Sequence, residues 1–301
     1  MSMVVAGSIA FDSIETPRGR IERALGGSAV YASIAASYKT AVRVVGIVGE
    51  DFLDEHRSVL EARGIDCGGV ETVKGGRTFY WKGRYGVNPN ERETLVTELN
   101  VFKDFRPVLP EGWEETGWLL LANIDPELQL DILDQCTGDP FAACDTMNFW
   151  IENKPEMLRR VLEKVNLLFV NDSEARQLTG RLNLYRAGRE IISMGPDIVV
   201  IKKGEHGAFL MTGDSIYIAP AFPLEDVLDP TGAGDVFAGG FLGSLASDGD
   251  INEDNLRKAL VYGTILASFT CEELSVDGIR SRRGGEIGER IKRFLDIMKI
   301  E

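Results

Sequence analysis

The sequence predicts an α/β fold in which helices cover both faces of a mostly parallel sheet, and a small second sheet stands apart. Three observations predict it. Short, nearly all-apolar runs alternate with helical patterns along most of the 301 residues, as in sheets that are buried on both faces. The stretch 77–99 breaks this rhythm with polar and aromatic segments typical of exposed strands. A chain of this length also buries roughly 75% of its unfolded surface and needs no disulfides or structural metal.

The predicted strands of the main sheet are short apolar runs, at 3–6, 42–48, 118–121, 141–144, 167–170 and 198–201. Helices are predicted after Gly26-Gly27-Ser28, over 52–63, and near 127–135, 155–164, 173–179 and 184–193. Gly64 is typical of the residue that ends a helix. A further helix begins near Asp235, because Phe237, Phe241 and Leu245 recur with helical spacing.

The small sheet is predicted from two strands, Arg77 to Tyr85 and Arg92 to Leu99, around the turn Asn88-Pro89-Asn90. The segment 11–25 is expected to add a hairpin to it. A pair of isolated strands is marginal in water, so we expect the small sheet to mediate a homodimer. The alternative is a monomer whose sheet edges are protected by charges, namely Lys82, Arg84, Arg92 and Glu93.

The composition limits the partners. The chain carries 33 Lys and Arg against 47 Asp and Glu, a net charge of −14, which argues against nucleic acid. The four cysteines form no C-x-x-C pair and are expected to be reduced. The first residues have no basic start and no long apolar run, and no stretch reaches the ~20 apolar residues of a membrane span. We therefore expect a cytoplasmic protein that binds neither nucleic acid nor membranes.

The strongest motif is Asp229-Pro230-Thr231-Gly232-Ala233-Gly234-Asp235. A glycine turn that leads into a helix leaves backbone N–H groups unpaired, and with the helix dipole they form a site for phosphate. A carboxylate beside an anion site suits the removal of a proton from an attacking hydroxyl. The alternative is that Asp235 merely caps the helix. No Gly-Lys dipeptide and no G-x-G-x-x-G occurs, so the two common nucleotide motifs are absent.

This motif resembles that of the ribokinase-like (PfkB) carbohydrate and nucleoside kinases, and the likeness extends over essentially the whole chain. Gly26-Gly27, Asn171-Asp172-Ser173-Glu174 and Lys203-Gly204-Glu205-His206-Gly207 resemble the family's other motifs. The resemblance implies a Rossmann-like sheet and a small β-sheet lid, formed by segments 11–25 and 77–99 within a single domain, 1–301. It also implies an ATP-dependent kinase that phosphorylates a hydroxyl of a sugar or sugar-like molecule, and it supports dimers formed through the lid.

The resemblance implies roles for individual residues. Asp235 is the general base, and the N–H groups of Gly232, Ala233 and Gly234 hold the phosphoryl group. The residues implied to bind ATP, with Mg²⁺ held through water by the first two, are Asn171, Glu174, Gly204 and Gly207. Lys202 stands where many relatives carry Thr, and we expect its ammonium to contact a phosphate as a point charge; the alternative is an exposed charge at the strand edge. Those implied to bind or line the acceptor are Asp12, Gly26, Gly27 and the position of Tyr31. Asn123, at a strand end that faces the expected cleft, is a further candidate for a polar contact with the acceptor. Asp229 and Thr231 correspond to residues beside a monovalent cation, K⁺, in several relatives.

The substrate stays open between three hypotheses: a kinase for a sugar or sugar acid, a nucleoside kinase, and a non-catalytic sugar-binding regulator. Tyr31 stands where ribokinases carry an Asn that contacts the sugar. An aromatic shelf would favour a nucleoside, whose base it would stack on. Arg77 or Arg84 at the acceptor pocket would favour a sugar acid. The regulator predicts loss of Asp235 or of the glycine turn, and both are present.

Overall fold

The computed structural model describes residues 2–299, which build two sheets and eleven α-helices. Nine strands form the main sheet: β1 (Ser2–Ala6), β4 (Ala41–Gly49), β5 (Asp66–Val73), β8 (Trp118–Leu121), β9 (Phe141–Asp145), β10 (Leu167–Asn171), β11 (Ile198–Lys202), β12 (Ala208–Met211) and β13 (Ile216–Ala219). The small sheet consists of β2 (Ala10–Thr16), β3 (Gly19–Gly26), β6 (Phe79–Tyr85) and β7 (Arg92–Glu98). The predicted strands are confirmed to within two residues.

The main sheet has the order β13-β12-β11-β10-β9-β8-β1-β4-β5. Its strands pair in parallel except at one edge, where β12 is antiparallel to β11 and β13 is antiparallel to β12. The central strands β1 and β8 to β11 are almost entirely apolar because both faces of the sheet are buried there, whereas the edge strand β5 is largely exposed. In β1, Met3 and Val5 enter one core while Val4 and Ala6 enter the other.

Helices cover both faces. One face carries α1 (Ser28–Ala36), α2 (Asp54–Glu61), α8 (Ala233–Asp248), α9 (Glu253–Thr270), α10 (Asp277–Arg280) and α11 (Gly284–Met298). The other carries α3 (Pro126–Leu133), α4 (Asn148–Asn153), α5 (Pro155–Leu162), α6 (Asp172–Thr179) and α7 (Leu184–Ile192). Helix α4 was not predicted, because its six residues are too few to show a period.

The close packing of α1 on α8 fixes the position of the glycine motif. A Cβ at Gly239 would lie 2.1 Å from the carbonyl oxygen of Ala32, and a Cβ at Gly243 would lie 2.8 Å from the Cα of Ala36. Only glycine allows two helix backbones to approach this closely. The N-terminus of α8 is therefore held beside the start of α1.

The small sheet has the order β3-β2-β6-β7. Both hairpins are antiparallel, but β2 and β6 pair in parallel, with Asp12 opposite Trp81. This confirms a separate sheet built from the two predicted segments. Among residues 2–299, no helix is long and apolar enough to cross a membrane. The cytoplasmic location stays a prediction.

Candidate active site

The site lies where the carboxyl ends of the parallel strands meet the N-terminus of α8. Gly232 begins the helix with a φ of 77°, a left-handed conformation that favours glycine. A Cβ at this position would also lie 2.5 Å from the ring of Tyr31. The glycine therefore permits both the turn and its contact with α1.

The amides of this turn are only partly engaged. The N–H of Ala233 donates to the carbonyl of Pro230 at 3.2 Å, which closes the turn. Within residues 2–299, the N–H groups of Gly232, Gly234 and Asp235 have no hydrogen-bond acceptor. These three donors, at the positive end of the helix dipole, are available to an anion.

Asp235 lies in the first turn of α8 but does not cap it, because the N-cap is Gly232 and no side chain bonds there. In the described part of the chain its carboxylate has neither a hydrogen bond nor an ion pair. Burial, helped by the charge of Asp145, raises its pKa to about 7, against the opposing effects of Lys202 and Arg92. Such a carboxyl exchanges a proton near neutral pH, as a general base must.

Asp12 lies on β2, at the junction of the two sheets. A Cβ at Gly26 would lie 2.0 Å from its Oδ2, so only glycine leaves room for this carboxylate. Its side chain is buried, and burial raises its pKa to about 7, while the backbone N–H of Gly27 lowers it. The charges of Asp229 and Asp235 also raise this pKa, which places the three carboxyls in one neighbourhood.

Tyr31 forms a wall of the site. Its ring packs on Gly232, its side chain is 1% exposed, and its hydroxyl has no hydrogen-bond partner among the described residues. Burial raises the pKa of Tyr31 well above its usual value. The hydroxyl is thus a neutral group.

A buried ion pair lies on the other side of the glycine turn. The Nζ of Lys202, at the end of β11, lies 2.8 Å from Oδ2 of Asp145, at the end of β9. A Cβ at Gly234 would lie 3.2 Å from the same Nζ. Burial opposes the charge of Lys202, but Asp145 and Glu174 outweigh it and raise its pKa. A cation therefore lies beside the glycine turn at the start of α8.

Asn171 and Glu174 form the N-terminal cap of α6. The Asn171 side chain accepts from the N–H of Glu174 at 2.8 Å, and the Glu174 carboxylate accepts from the N–H of Asn171 at 2.7 Å. This reciprocal pair is a capping box. Burial raises the pKa of Glu174 to about 7, and Lys202 lowers it.

The loop after β11 meets the turn of the small sheet. Gly204 and Gly207 have φ values of 55° and 79°. The Nδ2 of Asn90 donates to Oε2 of Glu205 at 2.5 Å, and a Cβ at Gly204 would lie 2.5 Å from Oδ1 of Asn90. The small sheet therefore reaches across the cleft.

A second bridge joins the small sheet to the glycine motif. The hydroxyl of Thr231 donates to that of Tyr85 at 3.0 Å. The neighbouring Asp229 is fully buried, and its carboxylate accepts from the N–H groups of Thr231 and Ser275, both at 2.9 Å.

Asn123 lies near the start of α1, where its carbonyl accepts from the hydroxyl of Ser28 at 3.3 Å. Its side-chain Oδ1 accepts from Nε1 of Trp150 at 3.1 Å. One of its two polar groups is thus engaged in holding Trp150, which leaves the Nδ2 group for a ligand.

Comparisons with known proteins agree with this geometry. Residues 137–280 match the pfkB family carbohydrate kinase model. The chain is 30% identical to a cytidine kinase of Thermococcus kodakarensis over 261 residues, which is 84% of this chain and 91% of the relative. It is 26% identical to an ATP-dependent ribose-1-phosphate kinase of Halopiger xanaduensis, over 90% of this chain and 86% of that one.

The chain belongs to the pfkB family of carbohydrate kinases. It is an ATP-dependent kinase whose acceptor is a hydroxyl of a sugar or nucleoside, which confirms the predicted family and enzyme class. The fold is that of a nucleoside kinase of Methanocaldococcus jannaschii (TM-score 0.77, 20% identity, 97% of this chain and 98% of that one). A putative ribokinase II of E. coli, in complex with ATP and Mg²⁺, also shares it (TM-score 0.80, 18% identity, 97% and 100%).

Strand register decides where two arginines of this pfkB kinase point. Arg92, which the monomer alternative names as an edge-protecting charge, lies on the edge strand β7 and pairs with Tyr85, which places its side chain on the cleft side of the small sheet. Arg84, considered as a ligand for a sugar acid, instead pairs with Glu15 and Glu93 on the opposite face of the small sheet. Both outcomes follow from strand register, which the sequence alone did not reveal.

Proposed function

We propose that this protein phosphorylates a hydroxyl of a nucleoside, with ATP and Mg²⁺ as the phosphoryl donor. One observation carries the choice of a nucleoside over a free sugar: a flat aromatic surface lies beside Asp12 on the cleft side of the small sheet. The similarity to a cytidine kinase supports the same choice.

The aromatic surface is the indole of Trp81. Trp81 lies opposite Asp12 in the β2–β6 register, and Tyr85, on the same face of β6, contacts the glycine motif. A Cβ at Gly83 would lie 2.0 Å from Cη2 of Trp81, so the ring lies along the sheet over Gly83. The Nε1 of Trp81 donates to Thr94 at 3.4 Å, which fixes the ring edge. A nucleobase stacks well on such a surface, and here it would share the ring with the Arg92 guanidinium, which lies 5.3 Å from the ring centre.

Asp12 suits the ribose of the nucleoside. A carboxylate accepts hydrogen bonds from two adjacent hydroxyls, and Asp12 is buried, with Gly26 and Gly27 next to its carboxylate. The remaining ribose hydroxyl then reaches Asp235. The hydroxyl oxygen bonds to the γ-phosphorus, its proton passes to Asp235, the bond from phosphorus to the bridging oxygen breaks, and ADP leaves.

The residues on the Lys202 side fit the triphosphate. The free N–H groups of Gly232 and Gly234 and the ammonium of Lys202 are donors for phosphate oxygens, and Gly204 and Gly207 allow close backbone approach. Residues 2–299 contain no cluster of three His, Cys, Asp or Glu side chains able to hold a metal. Asn171 and Glu174 supply amide and carboxylate oxygens, which suit Mg²⁺ held through water because this ion keeps several of its waters. When bound, Mg²⁺ neutralises phosphate charge.

We further propose that a monovalent cation such as K⁺ binds beside Asp229 and Thr231. Asp229 is fully buried, and among the described residues its carboxylate has no cationic partner within 4 Å. Burial raises its pKa, and a bound cation would offset that effect. Replacing K⁺ by tetramethylammonium at constant ionic strength should lower kcat, and unchanged kcat would refute this site.

We also propose that the small sheet, acting as a lid, mediates a homodimer. Its edge strands β3 and β7 each have one side without a strand partner, and a second subunit would cover these edges. Light scattering at micromolar concentration should give twice the subunit mass. A mass of 33.1 kDa that is independent of concentration and ligand would refute the dimer.

The choice of a nucleoside is tested by Trp81→Leu, assayed with cytidine and with ribose. Losing the stacking surface should lower kcat/KM for cytidine by about 5- to 100-fold, as expected for ~1–3 kcal/mol of base stacking. Weak turnover of ribose should change little, and Trp81→Phe should retain most of the cytidine activity. Tyr80→Leu, the neighbour on the opposite face, is the matched control. Equal losses for cytidine and ribose would refute base stacking on Trp81.

A further inference from the structure

Ser275 is a strained residue beside the proposed cation site. Its φ is 57°, in the left-handed region that favours glycine, and its side chain is 2% exposed. Within residues 2–299, three other non-glycine residues have a positive φ, namely Arg23, Asn100 and Asp139, and none of them is buried. Such a conformation persists only where the surrounding contacts hold it, and these positions cluster at functional sites. The contacts of Ser275 therefore indicate what its conformation serves.

Two hydrogen bonds hold Ser275 in this conformation. Its N–H donates to Oδ2 of Asp229 at 2.9 Å, and its hydroxyl donates to the carbonyl of Leu25 at 2.7 Å. Leu25 lies on β3, an edge strand of the small sheet, and is 250 residues away from Ser275 in the chain. Ser275 therefore connects the loop after α9 to the small sheet.

The peptide that accepts the bond from the Ser275 hydroxyl lies next to the acceptor carboxylate. This peptide joins Leu25 to Gly26, and a Cβ at Gly26 would lie 2.0 Å from Oδ2 of Asp12. A hydrogen bond from the backbone N–H of Gly27 also lowers the pKa of Asp12. A displacement of the Leu25 carbonyl would therefore shift both glycines against the carboxylate that is proposed to hold the acceptor.

The other end of the connection lies at the proposed cation site. The Asp229 carboxylate is fully buried, and the charges of Asp12 and Asp229 both raise the pKa of Tyr31, whose hydroxyl lies near them. This hydroxyl is buried and has no hydrogen-bond partner among the described residues. Buried polar groups without a partner are rare, so the Tyr31 hydroxyl and the Asp229 carboxylate together suit a polar ligand such as a monovalent cation.

We propose that Ser275 is a positioning residue that couples a monovalent cation beside Asp229 to the binding of the acceptor at Asp12. The inference rests on the proposed cation site and not on the choice of a nucleoside. A cation that contacts the Asp229 carboxylate fixes its orientation and thereby the N–H of Ser275. The Ser275 hydroxyl then keeps the Leu25 carbonyl, and with it Gly26, in place against Asp12. Because coupling between two sites is reciprocal, the acceptor should also tighten the binding of the cation.

The test measures binding without turnover, with cytidine and ribose as acceptor probes and no nucleotide. In calorimetry, wild type should bind its preferred acceptor about 5- to 150-fold more tightly in K⁺ than in tetramethylammonium at equal ionic strength. Ser275→Gly keeps the N–H and adopts a positive φ without strain, and in this variant the difference should disappear. K⁺ should still raise its thermal unfolding midpoint, because Asp229 is unchanged. Asp139→Gly, exposed and with a φ of 47°, is the matched control and should keep the wild-type difference.

Hydrogen exchange of residues 24–27 gives a second readout that needs no acceptor. K⁺ should slow this exchange in wild type and leave it unchanged in Ser275→Gly. An unfolding midpoint of wild type that K⁺ does not alter would refute the cation site, and the coupling with it. A midpoint that depends on K⁺, together with exchange and acceptor affinity that do not, would refute the coupling alone. The inference also fails if Ser275→Gly keeps the wild-type response to K⁺ in exchange or in acceptor affinity.

Discussion

Asp235→Asn should separate the catalytic role of this carboxyl from its effect on stability. Burial raises the pKa of Asp235 from 3.8 to about 7, so the folded protein binds this proton more tightly than the unfolded chain does. Stability therefore falls as the pH rises from about 4 to about 7. The pKa difference corresponds to about 4 kcal/mol against the folded, ionised protein above pH 7. An asparagine at this position is neutral at every pH, so the folded variant does not have this cost.

The variant should consequently unfold at higher urea concentration than wild type at pH 8, with a gain of at most about 4 kcal/mol, and the gain should vanish near pH 4. Its kcat should fall by about 10²- to 10⁴-fold, because no base takes the hydroxyl proton. The free energies of unfolding of wild type and Asp235→Asn are compared by urea unfolding at pH 4 and pH 8. The exposed Asp131→Asn is the control. A gain of equal size at pH 4 and pH 8, or activity within a few-fold of wild type, would refute the reasoning.

Two further predictions concern the glycine motif and its neighbouring cation. Gly232→Ala should lower the thermal unfolding midpoint more than Gly249→Ala does. Both glycines have a positive φ, but only Gly232 lies against the ring of Tyr31, while Gly249 faces open space. Equal midpoints for the two variants would contradict a close contact between Gly232 and Tyr31. The kcat/KM of wild type should fall below a pH of about 7 as Asp235 is protonated. Lys202→Met should move this fall in kcat/KM to higher pH, because the charge of Lys202 lowers the pKa of Asp235. A pH profile that does not move would contradict the interaction between Lys202 and Asp235.

Six of the nine strands of the main sheet were predictable, because buried parallel strands appear in the sequence as short apolar runs. The edge strands β5, β12 and β13 were not predicted, nor were helices α9, α10 and α11. The glycine motif could also be recognised from the sequence, because the turn and the start of the helix are formed by the consecutive residues 229–235. The small sheet was predicted because its strands carry polar or charged side chains on both faces. In each case the physical cause acts over a few neighbouring residues, so the sequence carries it.

The placement of Trp81 and Arg92 on the cleft side was not predictable, because it depends on how β2, β6 and β7 align. A shift of one residue in register turns every side chain to the other face, and Arg92 would then point away from the cleft. The pair of Lys202 with Asp145 was hidden for a related reason. It joins the ends of two strands with another strand between them, and no local pattern links them.

The most direct test of the account is the ratio of kcat/KM for cytidine to that for ribose, with products identified by mass spectrometry and MgATP as the donor. The account predicts cytidine monophosphate and ADP in equal amounts, a ratio well above one, and product formation slowed by about 10²- to 10⁴-fold with Asp235→Asn. Ribose phosphate as the faster product, or ADP with free phosphate and no phosphorylated acceptor, would contradict it.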